Sequence, residues 1–121
     1  MESSRPAWRV EVSHEFRVWW HGLDHTARKA LAPRIRLIRE QGPALGYPYS
    51  SQIQGSRFGR LRELRVQHAG RPYRLLYAFD HRRVAILLVG GDKGKDDRWY
   101  ERMVPRAEAI LERHLSESGG E

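Results

Sequence analysis

The spacing of apolar residues divides the first third of the chain into segments with two different periods. Trp8 to Val12 alternates apolar and polar positions, which is typical of a strand with one buried face. Two stretches with helical spacing follow, and polar caps introduce them, Ser13 before the first and Asp24 before the second. Gly42-Pro43 ends the second predicted helix, and Pro33 inside it predicts a kink or a shorter helix.

Three more strands and a last helix are predicted in the rest of the chain. Residues 44–59 have the composition of a loop, because glycine and proline recur along the segment. The strands cover about residues 60–67, 73–79 and 83–89, and connections of hairpin length between them predict an antiparallel meander. The third of these strands is apolar on both faces, which predicts that it lies at the centre of the sheet.

The order of these elements predicts an α+β fold. A helix from about Trp99 to Leu115 completes the order β-α-α-β-β-β-α, in which a helix pair packs on a small, mostly antiparallel sheet. A length of 121 residues suits one core, so we expect a single domain over residues 1–115 and a disordered tail over 116–121.

Composition restricts the classes of protein to which the chain can belong. Hydrophobic residues make up 40% of it, which is enough for a core. Apolar runs are too short to span a bilayer, and the first residues lack the apolar segment of a secretory signal. Cysteine is absent, and the six histidines are scattered without metal-ligand spacing. We therefore expect a cytoplasmic protein that needs no metal, no other cofactor and no membrane.

The positive charge is concentrated in the second half of the chain. The formal net charge is +7, and residues 50–106 hold eleven arginines and two lysines against six acidic residues. A localised basic field of this kind is typical of proteins that bind polyanions. Arginine outnumbers lysine, which suits contact with phosphate groups and bases.

Three blocks of sequence carry a resemblance. They are residues 61–66 (LRELRV), residues 70–80 (GRPYRLLYAFD), and the stretch from Leu87 through Gly90-Gly91-Asp92-Lys93 to Trp99-Tyr100. Together with the element order they resemble the RelE/ParE superfamily of bacterial toxins, and most closely its HigB-like, phage-related branch. The resemblance covers roughly residues 8–115.

This resemblance implies the toxin of a type II toxin–antitoxin system. It further implies a metal-independent mRNA endoribonuclease that acts on translated message at the 70S ribosome, where the ribose 2′-hydroxyl would attack the adjacent phosphate. A cognate antitoxin, of the helix-turn-helix HigA-like kind, would neutralise the toxin and would alone contact operator DNA.

The resemblance also implies catalytic residues on the central strands. Arg74 matches an active-site arginine of the family and is expected to stabilise the reacting phosphate, since a guanidinium cannot act as a base. Arg65 lies at a position where relatives often carry a basic residue, and alternation along the strands places it beside Arg74. Glu63 departs from the family, in which RelE members tend to have lysine. A carboxylate there has three possible roles: it weakens contact with RNA, it supplies the general base, or it pairs with a neighbouring arginine.

Further candidates lie around the loop before the last helix. Lys93 and Lys95 occupy a loop where relatives place basic catalytic side chains, and phosphate stabilisation is a less demanding role for them than proton abstraction. Tyr100 resembles a family tyrosine that orients the nucleotide, and Trp99 beside it leaves the register open by one residue. The candidates for RNA contact are Arg57, Arg60, Arg98 and Trp99.

Two other functions are compatible with the same fold. A ParE-like member would inhibit DNA gyrase as a binding protein, and a non-catalytic member would be a basic nucleic-acid-binding module. The set of Arg65, Arg74 and Lys93 favours the nuclease, because a gyrase inhibitor needs no clustered phosphate site. The carboxylate of Glu63 is the main feature in favour of a non-catalytic member.

Overall fold

A computed structural model describes residues 7–56 and 59–119 of the chain as a five-stranded sheet with helices on both faces. The elements are β1 (Arg9–Val12), α1 (His14–His21), α2 (His25–Gln41), β2 (Ser50–Gln52), β3 (Arg62–His68), β4 (Arg71–Phe79), β5 (Val84–Asp92) and α3 (Trp99–Glu117). The strand order is β1-β5-β4-β3-β2, in which β1 runs parallel to β5 and the other neighbours are antiparallel. The predicted α+β class and the meander of β3, β4 and β5 are confirmed.

The polar caps fix the starts of the first two helices. The Ser13 side chain accepts a hydrogen bond from the Phe16 amide, and the Asp24 side chain accepts one from the Ala27 amide. Both predicted caps are therefore confirmed. The helix α2 continues through Pro33 to Gln41, so the expected shortening there is wrong. Buried residues on either side of the proline hold the helix against the sheet.

Two hydrophobic layers hold the helices to the sheet. The helix pair α1–α2 covers one face of the sheet and packs against alternate residues of the central strand, Tyr73, Leu75 and Tyr77. The helix α3 covers the other face, where Leu76 and Ala78 meet it. The strand β5 is buried from Val84 to Gly91, as its two apolar faces predict, but the central strand is β4 and β5 lies next to it, because β1 pairs with the other edge of β5.

Adjacent glycines near the end of β5 let one tryptophan approach each side of the sheet. A Cβ atom on Gly90 would lie 2.4 Å from the Trp19 ring, and one on Gly91 would lie 2.8 Å from Trp99 Nε1. Any larger residue at these positions would displace an indole ring from the core. Gly91 thereby lets Trp99, the first residue of α3, pack on the sheet next to Tyr100.

A buried carboxylate joins the β4–β5 hairpin to the far end of α3. Asp80 accepts hydrogen bonds from the Arg82 side chain at 2.6 Å and from His114 Nε2 at 3.1 Å. Burial opposes the charge on Asp80, but these hydrogen bonds outweigh it and lower the pKa of the carboxyl to about 2.

Two segments differ in kind from the sequence prediction, while the three strands of the meander differ only by a few residues at their ends. The segment 44–59, expected to be a loop, contains the short edge strand β2, which pairs with residues 62–64 of β3. Its sequence, Ser-Ser-Gln, has no hydrophobic alternation, so only pairing with β3 reveals it. The helix α3 extends through Glu117, into the segment expected to be disordered, while residues 120–121 lie outside the described part. Within the described residues, the helices lack the apolar length needed to cross a membrane.

Candidate active site

Two arginines lie next to each other on the sheet face that α3 covers. Arg65 on β3 lies directly opposite Arg74 on β4, and Arg74 in turn lies opposite Gly91 on β5. Directly opposed residues have Cβ atoms only about 4.5–5.5 Å apart, and like charges at that distance repel each other. The predicted neighbourhood of Arg65 and Arg74 is confirmed. A bound anion would relieve this repulsion.

The Glu63 carboxylate connects these strands to the start of α3. It is buried, and it accepts hydrogen bonds from the Tyr100 hydroxyl at 2.5 Å and from Ser51 Oγ at 3.0 Å. Arg74 Nε lies 3.5 Å from the same carboxylate, and the side chains of Arg74 and Glu63 are each only 11% exposed. Glu63 therefore has the arginine partner that was one of the three alternatives for it.

The Arg74 guanidinium can donate a hydrogen bond to a further acceptor. Its Nη1 donates to the Tyr73 carbonyl oxygen at 3.0 Å, while the buried Nε has no aligned hydrogen-bond acceptor among the described residues. A buried donor without an acceptor costs free energy that an incoming oxygen recovers. The guanidinium is thus suited to bind an anionic ligand.

The Tyr100 phenol is held in its protonated form. Burial, together with the hydrogen bond to Glu63 and the charge of Glu63, raises the pKa of Tyr100, and Arg74 opposes the shift only in part. Tyr100 is therefore a donor at neutral pH. The Lys93 ammonium lies 6.0 Å from the centre of the Tyr100 ring, and the Lys93 amide donates to the Pro72 carbonyl oxygen at 2.9 Å.

The structure thus brings together five of the six predicted catalytic residues: Glu63, Arg65, Arg74, Lys93 and Tyr100. We call Glu63, Arg65, Arg74 and Tyr100 the arginine–tyrosine cluster. Lys95 is exposed two residues further along the same loop. Among residues 7–56 and 59–119, no group of three histidine or acidic side chains is placed to hold a metal ion.

The predicted RNA contacts have different outcomes. Trp99 is wrong as an RNA contact, because only 4% of it is exposed and its ring packs on Gly91 in the second core. Of the Trp99-Tyr100 pair, one side chain belongs to the core and the other to the site, as expected. Arg60 and Arg98 are exposed, and Arg57 lies outside the described residues.

A cleft beside this cluster was missed in the sequence. It lies along the edge of β3 beyond the end of β2, has a volume of about 480 Å³, and is lined by Arg34, Tyr47, Pro48, Tyr49, Arg65, Val66, Gln67 and Arg74. We call it the edge cleft. In the sequence, the signal for this cleft is the pair Tyr47 and Tyr49 within the predicted loop 44–59. Ser51, which donates to Glu63, was missed for the same reason.

Comparison with known proteins identifies relatives over most of the chain. Residues 18–112 match the family described as phage-derived protein Gp49-like. A Mycobacterium tuberculosis protein named as the candidate toxin HigB3 is 41% identical over 104 residues, which cover 84% of this chain and 90% of that protein. Another from the same organism, named as the candidate toxin HigB2, is 35% identical over 112 residues, which cover 91% of this chain and 55% of that protein. This chain therefore spans about half the length of that second relative.

Solved structures share the fold at low sequence identity. A mutant of the E. coli toxin RelE in the free state superposes with a TM-score of 0.59 at 16% identity, covering 80% of this chain and 95% of that one. The toxin–antitoxin complex RelBE of E. coli gives a TM-score of 0.53 at 15% identity, covering 71% and 96%. The family match and the HigB relatives thus show that this chain belongs to the Gp49-like family of phage-derived proteins, together with toxins of the HigB type.

Proposed function

We propose that this protein is the toxin of a type II toxin–antitoxin system and cuts messenger RNA at the ribosome without a metal ion. The observation that carries the proposal is the arginine–tyrosine cluster, in which two opposed arginines, a protonated phenol and a buried carboxylate meet at one place. In the reaction, the 2′-oxygen forms a bond to phosphorus and the bond from phosphorus to the 5′-oxygen breaks. A base must take the 2′-hydroxyl proton, and an acid must protonate the leaving oxygen.

The arginines suit the charge that develops on the phosphate. Arg74 Nε lacks an aligned hydrogen-bond acceptor among the described residues, and Arg65 adds a second positive charge on the strand directly opposite. A hydrogen bond between charged groups contributes ~1.5–3 kcal/mol. If it forms only in the transition state, it accelerates the reaction roughly ten- to a hundredfold.

The remaining groups of the site position the reacting groups or transfer protons. Glu63 is engaged by Ser51, Tyr100 and Arg74, so its first role is to hold the phenol and the guanidinium in place. Tyr100 is protonated and can orient the nucleotide or donate to an oxygen. Glu63 and Lys93 remain the alternatives for the general base, and pH–rate profiles of Glu63→Gln and Lys93→Ala separate them, because only loss of the base removes the corresponding limb.

The partner in this proposal is a cognate antitoxin, of the helix-turn-helix HigA-like kind. The fold likeness to RelE in the RelBE complex supports an antitoxin partner. The ribosome and the message are the substrate-side partners, which places the protein in the cytoplasm, and operator DNA is contacted through the antitoxin alone.

A translating extract tests the function directly. Purified protein is added, and the 5′ ends of a reporter message are mapped with and without translation. New ends inside translated codons that require ongoing translation support the proposal. Intact message together with blocked DNA supercoiling would instead show a ParE-like gyrase inhibitor, and intact message with RNA binding alone would show a non-catalytic member.

A further inference from the structure

We propose that the edge cleft binds a nucleotide of the RNA next to the reacting phosphate, with Tyr47 stacking on its base and Arg34 contacting its phosphate. This inference rests on the proposed function, because the RNA chain that occupies the cluster would continue into the cleft. Arg65 and Arg74 line the cleft and also belong to the arginine–tyrosine cluster, so the two sites are continuous.

The loop that carries Tyr47 is fixed to the fold at both ends. Leu45 is buried, and its carbonyl oxygen accepts a hydrogen bond from Arg62 Nη2 at 2.9 Å. At the other end the Tyr49 carbonyl oxygen accepts from the Arg65 amide at 2.8 Å. Tyr47 lies between these anchors with 84% of its surface exposed. The scaffold therefore presents an aromatic ring that contributes little to the core.

The charge of the cleft suits a nucleic acid backbone. Three arginines line it, Arg34, Arg65 and Arg74, and its lining within the described residues includes no acidic side chain. The Arg34 guanidinium lies 4.8 Å from the centre of the Tyr49 ring, a cation–π contact that holds it at the cleft wall. An anion with a flat aromatic group is the ligand that complements both features.

Stacking on Tyr47 requires an unpaired base. Single-stranded RNA is recognised through bases that stack on aromatic side chains while arginines follow the backbone, and every base offers a face for such stacking. The ligand class is therefore single-stranded RNA. The cleft is expected to add affinity at one neighbouring nucleotide and to favour no particular base strongly.

The test compares Tyr47→Ala with the matched control Tyr47→Phe, which keeps the ring. The probe is a short fluorescent single-stranded RNA with a 2′-O-methyl group at each position so that it cannot be cut, and binding is followed by anisotropy at several salt concentrations. We expect Tyr47→Ala to weaken binding about tenfold and Tyr47→Phe to bind within about twofold of the wild type. Arg34→Ala should reduce the magnitude of the salt slope by about 0.7, whereas Arg34→Lys should keep it.

The outcomes separate this site from the proposed function. If Tyr47→Ala binds like the wild type, the nucleotide site is wrong, even where the wild type still cuts message in the extract. If Arg34→Ala weakens RNA binding and Tyr47→Ala does not, the proposal is also overturned. The cleft would then be a positively charged surface that does not bind a nucleotide base. If Tyr47→Ala weakens binding while the wild type leaves message intact, the site stands and the nuclease falls. A wild type that neither binds the probe nor cuts message overturns both.

Discussion

Replacing Arg74 with alanine separates the chemistry of the cluster from its structural role. The change removes the guanidinium that lies 3.5 Å from Glu63, in a pair whose side chains are each 11% exposed. Removing one partner of a fully buried ion pair costs about 3–5 kcal/mol. Glu63 keeps its hydrogen bonds from Tyr100 and Ser51, so we expect a smaller loss of folding free energy, about 1–3 kcal/mol.

The effect on cleavage should be much larger than the effect on folding. Losing Arg74 should slow the reaction roughly a hundredfold, the value at which the range for one charge-assisted hydrogen bond meets the range for a preorganised oxyanion donor. A domain with a typical stability of about 5–15 kcal/mol stays almost wholly folded after a loss of 1–3 kcal/mol. Arg74→Ala should therefore abolish growth inhibition and message cleavage in protein that remains folded.

A second substitution tests the assigned cause of the destabilisation. In Arg74→Ala combined with Glu63→Gln, the buried group is neutral, so part of the lost stability should return while cleavage stays absent. Urea unfolding followed by tryptophan fluorescence measures the stability, and 5′-end mapping measures the cleavage. Arg71→Ala is the matched control, because Arg71 lies three residues earlier on β4 in an exposed pair with Asp92 and should change neither quantity.

Two results would refute this reasoning. Wild-type cleavage by Arg74→Ala would remove the arginine from the mechanism. A double variant no more stable than Arg74→Ala would show that the unpaired Glu63 charge is not what destabilises the single variant.

Three further substitutions test the packing and the buried acidic groups. The pKa of the Asp80 carboxyl is lowered from 3.8 to about 2, so its ionised form should stabilise the fold by about 2 kcal/mol above pH 4. This stabilisation should be lost as the pH falls toward 2, and acid unfolding of Asp80→Asn should lack that pH dependence. Gly90→Ala should lower the free energy of unfolding by about 1–3 kcal/mol through its clash with Trp19, whereas Gly46→Ala, with open space around it, should change the urea midpoint little. Because the pKa of Tyr100 is raised, the wild type should lose stability as the pH rises beyond about 10. Tyr100→Phe should lack this loss, and alkaline unfolding of the two proteins measures the difference. Identical alkaline curves for the two proteins would show that the phenol is not held protonated by the fold.

Local patterns determined the secondary structure and the faces of the central strands. Period-two alternation placed Tyr73, Leu75 and Tyr77 on one face of β4 and Arg74 on the other, and the caps at Ser13 and Asp24 marked two helix starts. These features depend on neighbours a few residues apart, so the sequence alone predicts them. The neighbourhood of Arg65 and Arg74 followed as well, because a short hairpin fixes the register of its two strands.

Only the tertiary structure decided which distant groups meet. Glu63 and Tyr100 are 37 residues apart, and their hydrogen bond depends on where α3 docks, with Trp99 packed on Gly91. The same docking buried Trp99 and left Tyr100 at the site. The edge cleft likewise exists only because β2 pairs with β3 and stops before the end of its partner. Pairing between remote segments and the fit of side chains across a core have no repeating signal along the chain, and these two interactions assembled the site.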